Sequence, residues 1–146
     1  MADALRDTLQ HALGATYRLD RELGGGGMSR VFVAHDATLD REVVVKVLTA
    51  ESVNGVSGDR FRREIQVIAK LQHPHIVSIL GAGAADDTLY YVMPFVKGET
   101  LRARMTREGP LRIPDVLRTL REVLDALAFA HEHGVVHRDI KPDNIL

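Results

Sequence analysis

The polar segment HRDIKPDN, residues 137–144, carries the densest set of chemically useful side chains in the chain. A carboxylate, an ammonium and a carboxamide occur within it, at Asp139, Lys141 and Asn144. Asp139 can accept a proton from a hydroxyl group, and Lys141 can neutralise a phosphoryl oxygen. The Asn144 carbonyl suits a hard cation such as Mg²⁺. The segment predicts activation of a hydroxyl group beside a phosphate, and the alternative is a solvated charged loop.

A run of four glycines, Gly24 to Gly27, separates two predicted strands near the start of the chain. Without a Cβ, the backbone can approach a ligand closely, and its N–H groups can point at an anion. The run predicts a loop that cradles phosphates, and the alternative for glycines alone is a flexible hairpin. Strand alternation resumes at Val31 and Val33, which favours a loop held at both ends.

Lys46 lies in a valine-rich predicted strand, residues 42–48. Because side chains alternate across a strand, Val44 and Leu48 share its face. An ammonium among apolar side chains is costly to bury without a partner. The sequence therefore predicts a carboxylate near Lys46.

The helix predicted over residues 60–72 offers this carboxylate at Glu64. Glu64 follows Phe61 by three residues and precedes Ile68 by four, so it falls within the apolar stripe of the helix. This placement predicts an internal ion pair between Lys46 and Glu64. The alternative is two unrelated charges whose ends reach solvent.

The elements that must position these groups change character near Lys97. Period-two patterns predict five strands, at residues 18–23, 30–35, 42–48, 77–82 and 88–95. Helical spacing predicts four helices, at residues 2–14, 60–72, 100–107 and 114–133. Very short strands are predicted at residues 135–136 and 145–146. The buried side of the long helix is predicted to hold Val116, Leu117, Leu120, Val123, Leu124, Leu127 and Ala130.

Composition narrows the class of protein. The chain has 146 residues, 45% hydrophobic and 27% charged, with a net charge of −1 and no cysteine. These values are ordinary for a globular domain, and they exclude disulfides and thiolate metal sites. The charge balance predicts no nucleic-acid partner. No apolar run is long enough for a membrane span or signal peptide, so a cytoplasmic location is expected, with any membrane anchor of the parent protein beyond residue 146.

These motifs, in this order, resemble those of the eukaryotic-type protein kinase family, and their residues are most similar to those of bacterial serine/threonine kinases. Residues 23–31 look like the nucleotide-binding glycine loop, residues 43–46 like the lysine strand, and Glu64 falls at the position of the paired helix glutamate. Residues 137–144 match the catalytic loop, including the lysine that is typical of serine/threonine kinases. The resemblance covers residues 16–146.

The resemblance implies an α+β, protein-kinase-like fold of two lobes. The N-lobe is expected to be a five-stranded antiparallel sheet with one helix, followed by the beginning of a helical C-lobe. The expected divisions are an N-terminal helical extension at residues 1–15, the nucleotide-binding N-lobe at residues 16–96, and a partial C-lobe at residues 97–146.

By the same resemblance, ATP binds along the sheet and the segment that follows it. Met93 is the expected gatekeeper, Pro94 offers only its C=O to adenine, and Val96 supplies the N–H. The residues expected to bind the nucleotide are Leu23, Gly24, Gly25, Gly26, Gly27, Met28, Ser29, Val31, Val44, Lys46, Glu64, Met93, Pro94 and Val96.

The resemblance also implies a reaction, with ATP and Mg²⁺ as cofactors and a protein bearing Ser or Thr as the acceptor. Lys46, held by Glu64, contacts the α- and β-phosphates. Asp139 deprotonates the acceptor hydroxyl, while Lys141 steadies the γ-phosphate. Asn144 is the expected Mg²⁺ ligand.

Three departures from the family pattern stand out. Ser29 replaces the usual third glycine, and Val44 replaces the common alanine and narrows the adenine site. The sequence also ends at Leu146, before the family's Asp-Phe-Gly segment. Since Mg²⁺ needs the aspartate of that segment together with Asn144, the chain alone is expected not to complete phosphoryl transfer.

Two other functions compete with catalysis. The chain can act as a nucleotide-binding or protein-interaction fragment, because the residues after the long helix are too few to cover its apolar face. That exposed face predicts self-association. A zinc site at His131, His133 and His137 is the remaining alternative, although Gly134 breaks the helix between them.

Overall fold

The computed structural model describes residues 2–23, 29–48, 58–86 and 88–146. The chain divides into two compact units. The sheet unit contains residues 1–69 and 78–95, and the helical unit contains residues 70–77 and 96–146.

The sheet unit is built on a five-stranded antiparallel sheet, as predicted. Its strands are β1 (Tyr17–Leu23), β2 (Ser29–Asp36), β3 (Arg41–Leu48), β4 (Gly81–Ala85) and β5 (Thr88–Pro94). They lie in the order β1-β2-β3-β5-β4, so β3 is central and β1 and β4 are the edges. β3 is also the most valine-rich strand, as expected of a strand covered on both faces.

The fourth strand was predicted over residues 77–82, and this range is wrong because β4 begins at Gly81. Ala85 pairs with Thr88 across a tight turn, and this pairing fixes the register of the hairpin. A Cβ on Gly83 would lie 2.6 Å from the Tyr90 hydroxyl oxygen, so the aromatic ring occupies that space. The glycine- and alanine-rich segment has a low intrinsic β propensity, and it forms a strand because it packs against Tyr90.

An N-terminal helix, α1 (Ala2–Leu13), packs on the sheet, as predicted. It ends where Gly14 adopts a φ of +62°, a left-handed conformation that glycine takes at little cost. Leu9 is fully buried and Leu13 nearly so. Both belong to the main apolar cluster of the sheet unit, with members from all five strands: Leu19, Phe32, Ala34, Val43, Val45, Val47, Ala85, Tyr90 and Val92.

The turn between β2 and β3 is fixed by the buried carboxylate of Asp36. It accepts hydrogen bonds from the N–H groups of Thr38 (3.0 Å) and Leu39 (3.2 Å), and Arg41 lies 3.4 Å away. Burial by itself raises the pKa of Asp36, but the bonds from Leu39 and Thr38 outweigh it and keep the pKa below its ordinary value. The turn thereby sets the register of β3, which carries Lys46.

The second helix, α2 (Gly58–Ile68), follows β3 and ends four residues earlier than predicted. Phe61 is buried, and Leu71 beyond the helix end is buried as well. Leaving the helix before Pro74 is consistent with the restriction that proline places on the residue before it.

The helical unit contains α3 (Leu101–Glu108), α4 (Ile113–Glu132) and a 3₁₀ turn at Pro142–Asn144. The Thr100 side chain caps α3 by accepting from the Ala103 N–H, at 3.1 Å. The short strands predicted at residues 135–136 and 145–146 are not formed. The Val135 N–H instead donates to the Ala130 carbonyl, which wraps this segment onto the end of α4.

A buried carboxylate, Asp115, ties α3 to α4. It accepts hydrogen bonds from Arg112 (3.1 Å), Arg118 (3.3 Å) and, across the two helices, Arg104 (3.5 Å). The hydrogen bond from Arg112 lowers the pKa of Asp115 below its ordinary value and outweighs the opposing effect of burial. The two helices are therefore joined by a carboxylate that stays charged at neutral pH.

The apolar face of α4 remains exposed within the helical unit, and of the seven residues predicted to be buried only Ala130 is so. Leu117, Leu120 and Leu124 are all exposed, because no element described in this unit packs on them. In the described parts of the chain, no helix is long and apolar enough to cross a membrane.

Replacing Leu9 with alanine tests the role of α1 in the core. We expect Leu9→Ala to lower the free energy of unfolding by about 2–5 kcal/mol, since it empties a fully buried site. Leu39→Ala, at a side chain that is 61% exposed, is the control and should change stability little. Equal effects of the two substitutions in chemical denaturation would show that α1 is not part of the core.

Acid titration tests the Asp115 junction. Because the folded-state pKa of Asp115 lies below its unfolded value, the charged side chain stabilises the fold above the unfolded value of about 3.9, and this stability is lost as the pH falls through the folded value. We expect Asp115→Asn to lower the thermal midpoint at pH 7, and the gap from the unsubstituted chain to close in acid. Asp125→Asn, an equal charge change at an exposed site on α4, should show no such gap.

Candidate active site

The three predicted catalytic side chains converge on one loop of the helical unit. The Asn144 amide nitrogen donates to the backbone carbonyl of Asp139 at 2.9 Å and to its Oδ2 at 3.2 Å. The Lys141 ammonium lies 3.5 Å from the same Oδ2. An acid–base group, a cation and a carboxamide oxygen are thus held together, which is the arrangement that hydroxyl activation beside a phosphate requires.

Local backbone geometry shapes this loop. Arg138 has a φ of +65°, a conformation uncommon outside glycine, and it turns the chain directly before Asp139. The His137 ring nitrogen Nδ1 lies 3.1 Å from the Asp139 N–H and accepts its hydrogen bond. The 3₁₀ turn that starts at Pro142 then returns Asn144 toward Asp139.

Helix α3 braces the far end of the loop. The Leu101 N–H donates to the Ile145 carbonyl at 2.7 Å, and the Arg102 guanidinium lies 3.5 Å from the Asp143 carboxylate. Sequence reasoning missed Arg102, because an arginine on a short polar helix carries no local signal of its partner. The loop is therefore fixed at both ends, around Asp139 and around Asp143.

The Asp139 carboxylate keeps one oxygen available for a substrate. Its side chain is 63% exposed, and its contacts with Asn144 and Lys141 both use Oδ2. Among the described residues Oδ1 has no hydrogen-bond partner, so it can accept a proton from a hydroxyl group. Asn144 spends its amino group on Asp139, which leaves its Oδ1 as an acceptor for a cation.

The zinc site considered from sequence is not assembled. The His133 ring packs on Phe129, with centroids 4.3 Å apart, and its Nδ1 contacts the Phe129 carbonyl at 2.8 Å. His137 is engaged with the Asp139 N–H. Within the described ranges, no three His, Asp or Glu side chains are placed to hold a metal ion. Gly134, with a φ of +76°, ends the helix and turns His137 away from the helical spacing of His131 and His133.

In the sheet unit, five residues predicted to bind the nucleotide share one face. Cross-strand partners project to the same side of a sheet, and so do residues two apart on a strand. The pairs Leu23–Val31, Val31–Lys46 and Val44–Met93 are in register across four strands. Leu23, Val31, Val44, Lys46 and Met93 therefore line one surface, opposite the face that packs against α1.

The remaining predicted nucleotide ligands are placed less completely. Gly24, Gly25, Gly26, Gly27 and Met28 lie outside the described residues. The backbone of Ser29 opens β2, where it pairs with Leu48. Pro94 ends β5, and Val96 is exposed within the helical unit.

The predicted ion pair between Lys46 and Glu64 is absent, and the inward placement of Glu64 is wrong. The Glu64 side chain is 57% exposed and pairs with Arg60 one turn earlier on α2, at 3.1 Å. Lys46 is only half-buried, so its ammonium does not need a buried counter-ion, and among the described residues it forms no ion pair. The hydrated Glu64–Arg60 pair is compatible with α2 because it costs no desolvation of the carboxylate.

Comparison with known proteins follows the same layout. A family model described as a protein kinase domain matches residues 17–146. The serine/threonine-protein kinase PrkC of Bacillus subtilis is 44% identical over 135 residues, which are 92% of this chain and 21% of that protein. The serine/threonine-protein kinase PknB of Mycolicibacterium smegmatis is 42% identical over 144 residues, 95% of this chain and 23% of that protein.

Solved structures agree with this match. The kinase domain of PknI from Mycobacterium tuberculosis superposes with a TM-score of 0.78 at 32% identity, over 89% of this chain and 54% of that one. Rad53, solved in complex with AMP-PNP, superposes with a TM-score of 0.80 at 28% identity, over 97% of this chain and 37% of that one. This chain thus spans about a fifth of its sequence relatives. With its five-stranded antiparallel sheet and a family match over residues 17–146, the chain belongs to the protein kinase family, and the relatives it matches are bacterial serine/threonine kinases.

Proposed function

We propose that this chain supplies the ATP-binding sheet and the phosphoryl-transfer loop of a serine/threonine protein kinase. The observation that carries the proposal is the convergence of Asp139, Lys141 and Asn144 on one braced loop. Family membership supports ATP as the phosphoryl donor and a protein hydroxyl as the acceptor. The chain covers a small part of its relatives, so these roles are proposed for the whole protein.

The shared face of the sheet supports the binding of ATP. Val31 offers an apolar surface for the adenine ring beside the largely buried Val44, while Lys46 offers a cation on the same face. Because Lys46 has no carboxylate partner among the described residues, its ammonium is available to phosphate oxygens.

The catalytic loop supports transfer to a hydroxyl group. The Oδ1 atom of Asp139 accepts the proton of a Ser or Thr hydroxyl group while the hydroxyl oxygen bonds to the γ-phosphorus of ATP. The bond between the γ-phosphorus and the bridging oxygen breaks, and ADP leaves with its electrons. Lys141 lies beside the carboxylate and offsets the negative charge of the transferring group. Asn144 holds Asp139 in position through two hydrogen bonds.

The donor groups of the loop fit Mg²⁺ only in part. The Asn144 carboxamide oxygen is a suitable hard ligand, and Mg²⁺ bound there would neutralise phosphate charge. Of the nearby carboxylates, Asp143 pairs with Arg102, and the one unengaged oxygen of Asp139 is the oxygen proposed to accept the hydroxyl proton. We therefore propose that the 146-residue chain binds ATP but holds Mg²⁺ weakly.

Weak binding of Mg²⁺ favours a second candidate function, which is nucleotide binding without phosphoryl transfer. In this role the sheet unit binds ATP, while the exposed side chains of Leu117, Leu120 and Leu124 on α4 are the proposed surface for self-association. Transfer of labelled phosphate to a protein by the isolated chain would exclude this second function.

A lysine substitution tests ATP binding. We expect Lys46→Met to weaken ATP binding at least about tenfold, because the cation on the shared face is lost. Lys70→Met, at an exposed lysine of the helical unit, should bind ATP as the unsubstituted chain does. Isothermal titration calorimetry measures all three proteins. Equal affinity of the Lys46→Met and unsubstituted chains, or no binding by either, would refute the proposed site.

Titration with magnesium tests the metal ligands of this chain. Since Asp143 pairs with Arg102 and Asp139 has only one unengaged oxygen, we expect added Mg²⁺ to change the affinity for ATP by less than about threefold. Asn144→Ala should respond to Mg²⁺ in the same way. A much larger rise that disappears in Asn144→Ala would show instead that a carboxylate exchanges its partner and completes a metal site.

A further inference from the structure

We propose that α1 is a clasp for strand β1, and that Arg6 and Gln10 are positioning residues for the nucleotide site. This inference rests on the proposed function, since its consequence is the placement of residues next to the glycine loop. β1 is an edge strand, and it leads directly into that loop. A contact that fixes β1 therefore also fixes Leu23, the last described residue before the four glycines.

Gln10 binds the edge of β1 that faces away from β2. Its Nε2 donates to the Tyr17 carbonyl at 3.0 Å, and its Oε1 accepts from the Leu19 N–H at 2.8 Å. The carbonyl of one residue and the N–H two residues later point to the same side of a strand. The carboxamide thus supplies the donor and the acceptor that a neighbouring strand would otherwise supply.

Arg6 extends the contact to an irregular part of β1. The pairing of β1 with β2 shifts register between Leu19 and Glu22. At this point the Arg6 guanidinium donates to the Asp20 carbonyl at 2.7 Å and lies 3.4 Å from the Leu19 carbonyl. Beyond the shift, Glu22 and Arg30 pair at 2.6 Å and resume the contact between the strands. Arg6 therefore satisfies backbone groups that the irregular pairing leaves toward solvent.

Apolar packing holds the clasp in place. Leu9, next to Gln10, is fully buried, and Leu13 one turn later is nearly so. The helix contacts both edge strands of the sheet, β1 and β4. A covering helix is one of the ways in which proteins protect strand edges from foreign pairing. Since the buried leucines fix α1, its two polar side chains meet β1 in one register.

The register of β1 affects the nucleotide face because two cross-strand pairs connect this strand to Lys46. Leu23 pairs with Val31, and Val31 pairs with Lys46. A slip of one residue in β1 would turn Leu23 to the opposite face, because side chains alternate along a strand. The clasp therefore acts on the placement of Leu23, although Arg6 and Gln10 themselves contact the edge of β1 and not the face that carries Lys46.

Substitution of Gln10 tests the clasp in the full chain. Gln10→Leu keeps the side-chain volume but removes both hydrogen bonds to β1, together with a third from Nε2 to the Gly14 carbonyl at 3.2 Å. His11→Leu, at the next and exposed position of α1, is the matched control. Arg6→Met, at an exposed position, is a second and milder variant. Amide hydrogen exchange, well below the thermal midpoint, is followed at Leu19, Leu23 and Val31, and calorimetry gives the Kd for ATP.

We expect Gln10→Leu to speed exchange at Leu19, Leu23 and Val31 and to raise the Kd for ATP by about fivefold or more, while His11→Leu changes neither. Arg6→Met should show the same pattern to a smaller degree. If both variants lower the thermal midpoint but leave exchange at Leu23 and Val31 as in the control, α1 is a structural element only and the proposal is overturned. Failure of the unsubstituted chain to bind ATP would refute the proposed function, while the exchange data would still decide the role of the clasp.

Discussion

The two-sided character of strand β3 is the constraint on which the sheet unit depends. Its odd-numbered valines, Val43, Val45 and Val47, belong to the apolar cluster that includes α1, so the even-numbered positions must project to the other side. Val44 and Lys46 are thereby fixed on one face without any contact that is specific to them. A slip of one residue would place Lys46 in the apolar cluster and remove three valines from it, and the cost of that exchange is what makes the register secure.

In the helical unit, contacts between charged side chains join α3, α4 and the loop that carries Asp139. Asp115 joins α3 to α4 through arginines on both helices, and α3 in turn braces the catalytic loop through Leu101 and Arg102. The carboxylate remains charged at neutral pH because its arginine contacts lower its pKa. The position of Asp139 thus depends on polar contacts that run from Asp115 on α4, through α3, to the loop.

The two units present complementary chemistry. The sheet offers an apolar surface that carries Lys46, which suits a nucleotide, and the loop offers a carboxylate with one unengaged oxygen, which suits a hydroxyl group. Helix α1 supports the sheet, because its buried leucines and two polar side chains hold the edge strand β1, which precedes the four glycines. An extension at the N-terminus thereby becomes part of the support of the proposed nucleotide site.

The sequence alone determined four of the five strands to within one residue at each end, helix α1, and the segment where Asp139, Lys141 and Asn144 meet. Alternation, helical spacing and local motifs act over a few residues, so they can be read from the sequence. Tertiary structure decided the rest. Glu64 satisfies the spacing of an inward residue, yet it lies in solvent because Arg60 on the same helix offers a contact without desolvation. The start of β4 depends on the space that Tyr90 takes above Gly83, and local propensity does not encode a neighbour that lies across the sheet. The amide of Gln10 likewise becomes meaningful only when buried leucines have placed it beside a strand edge.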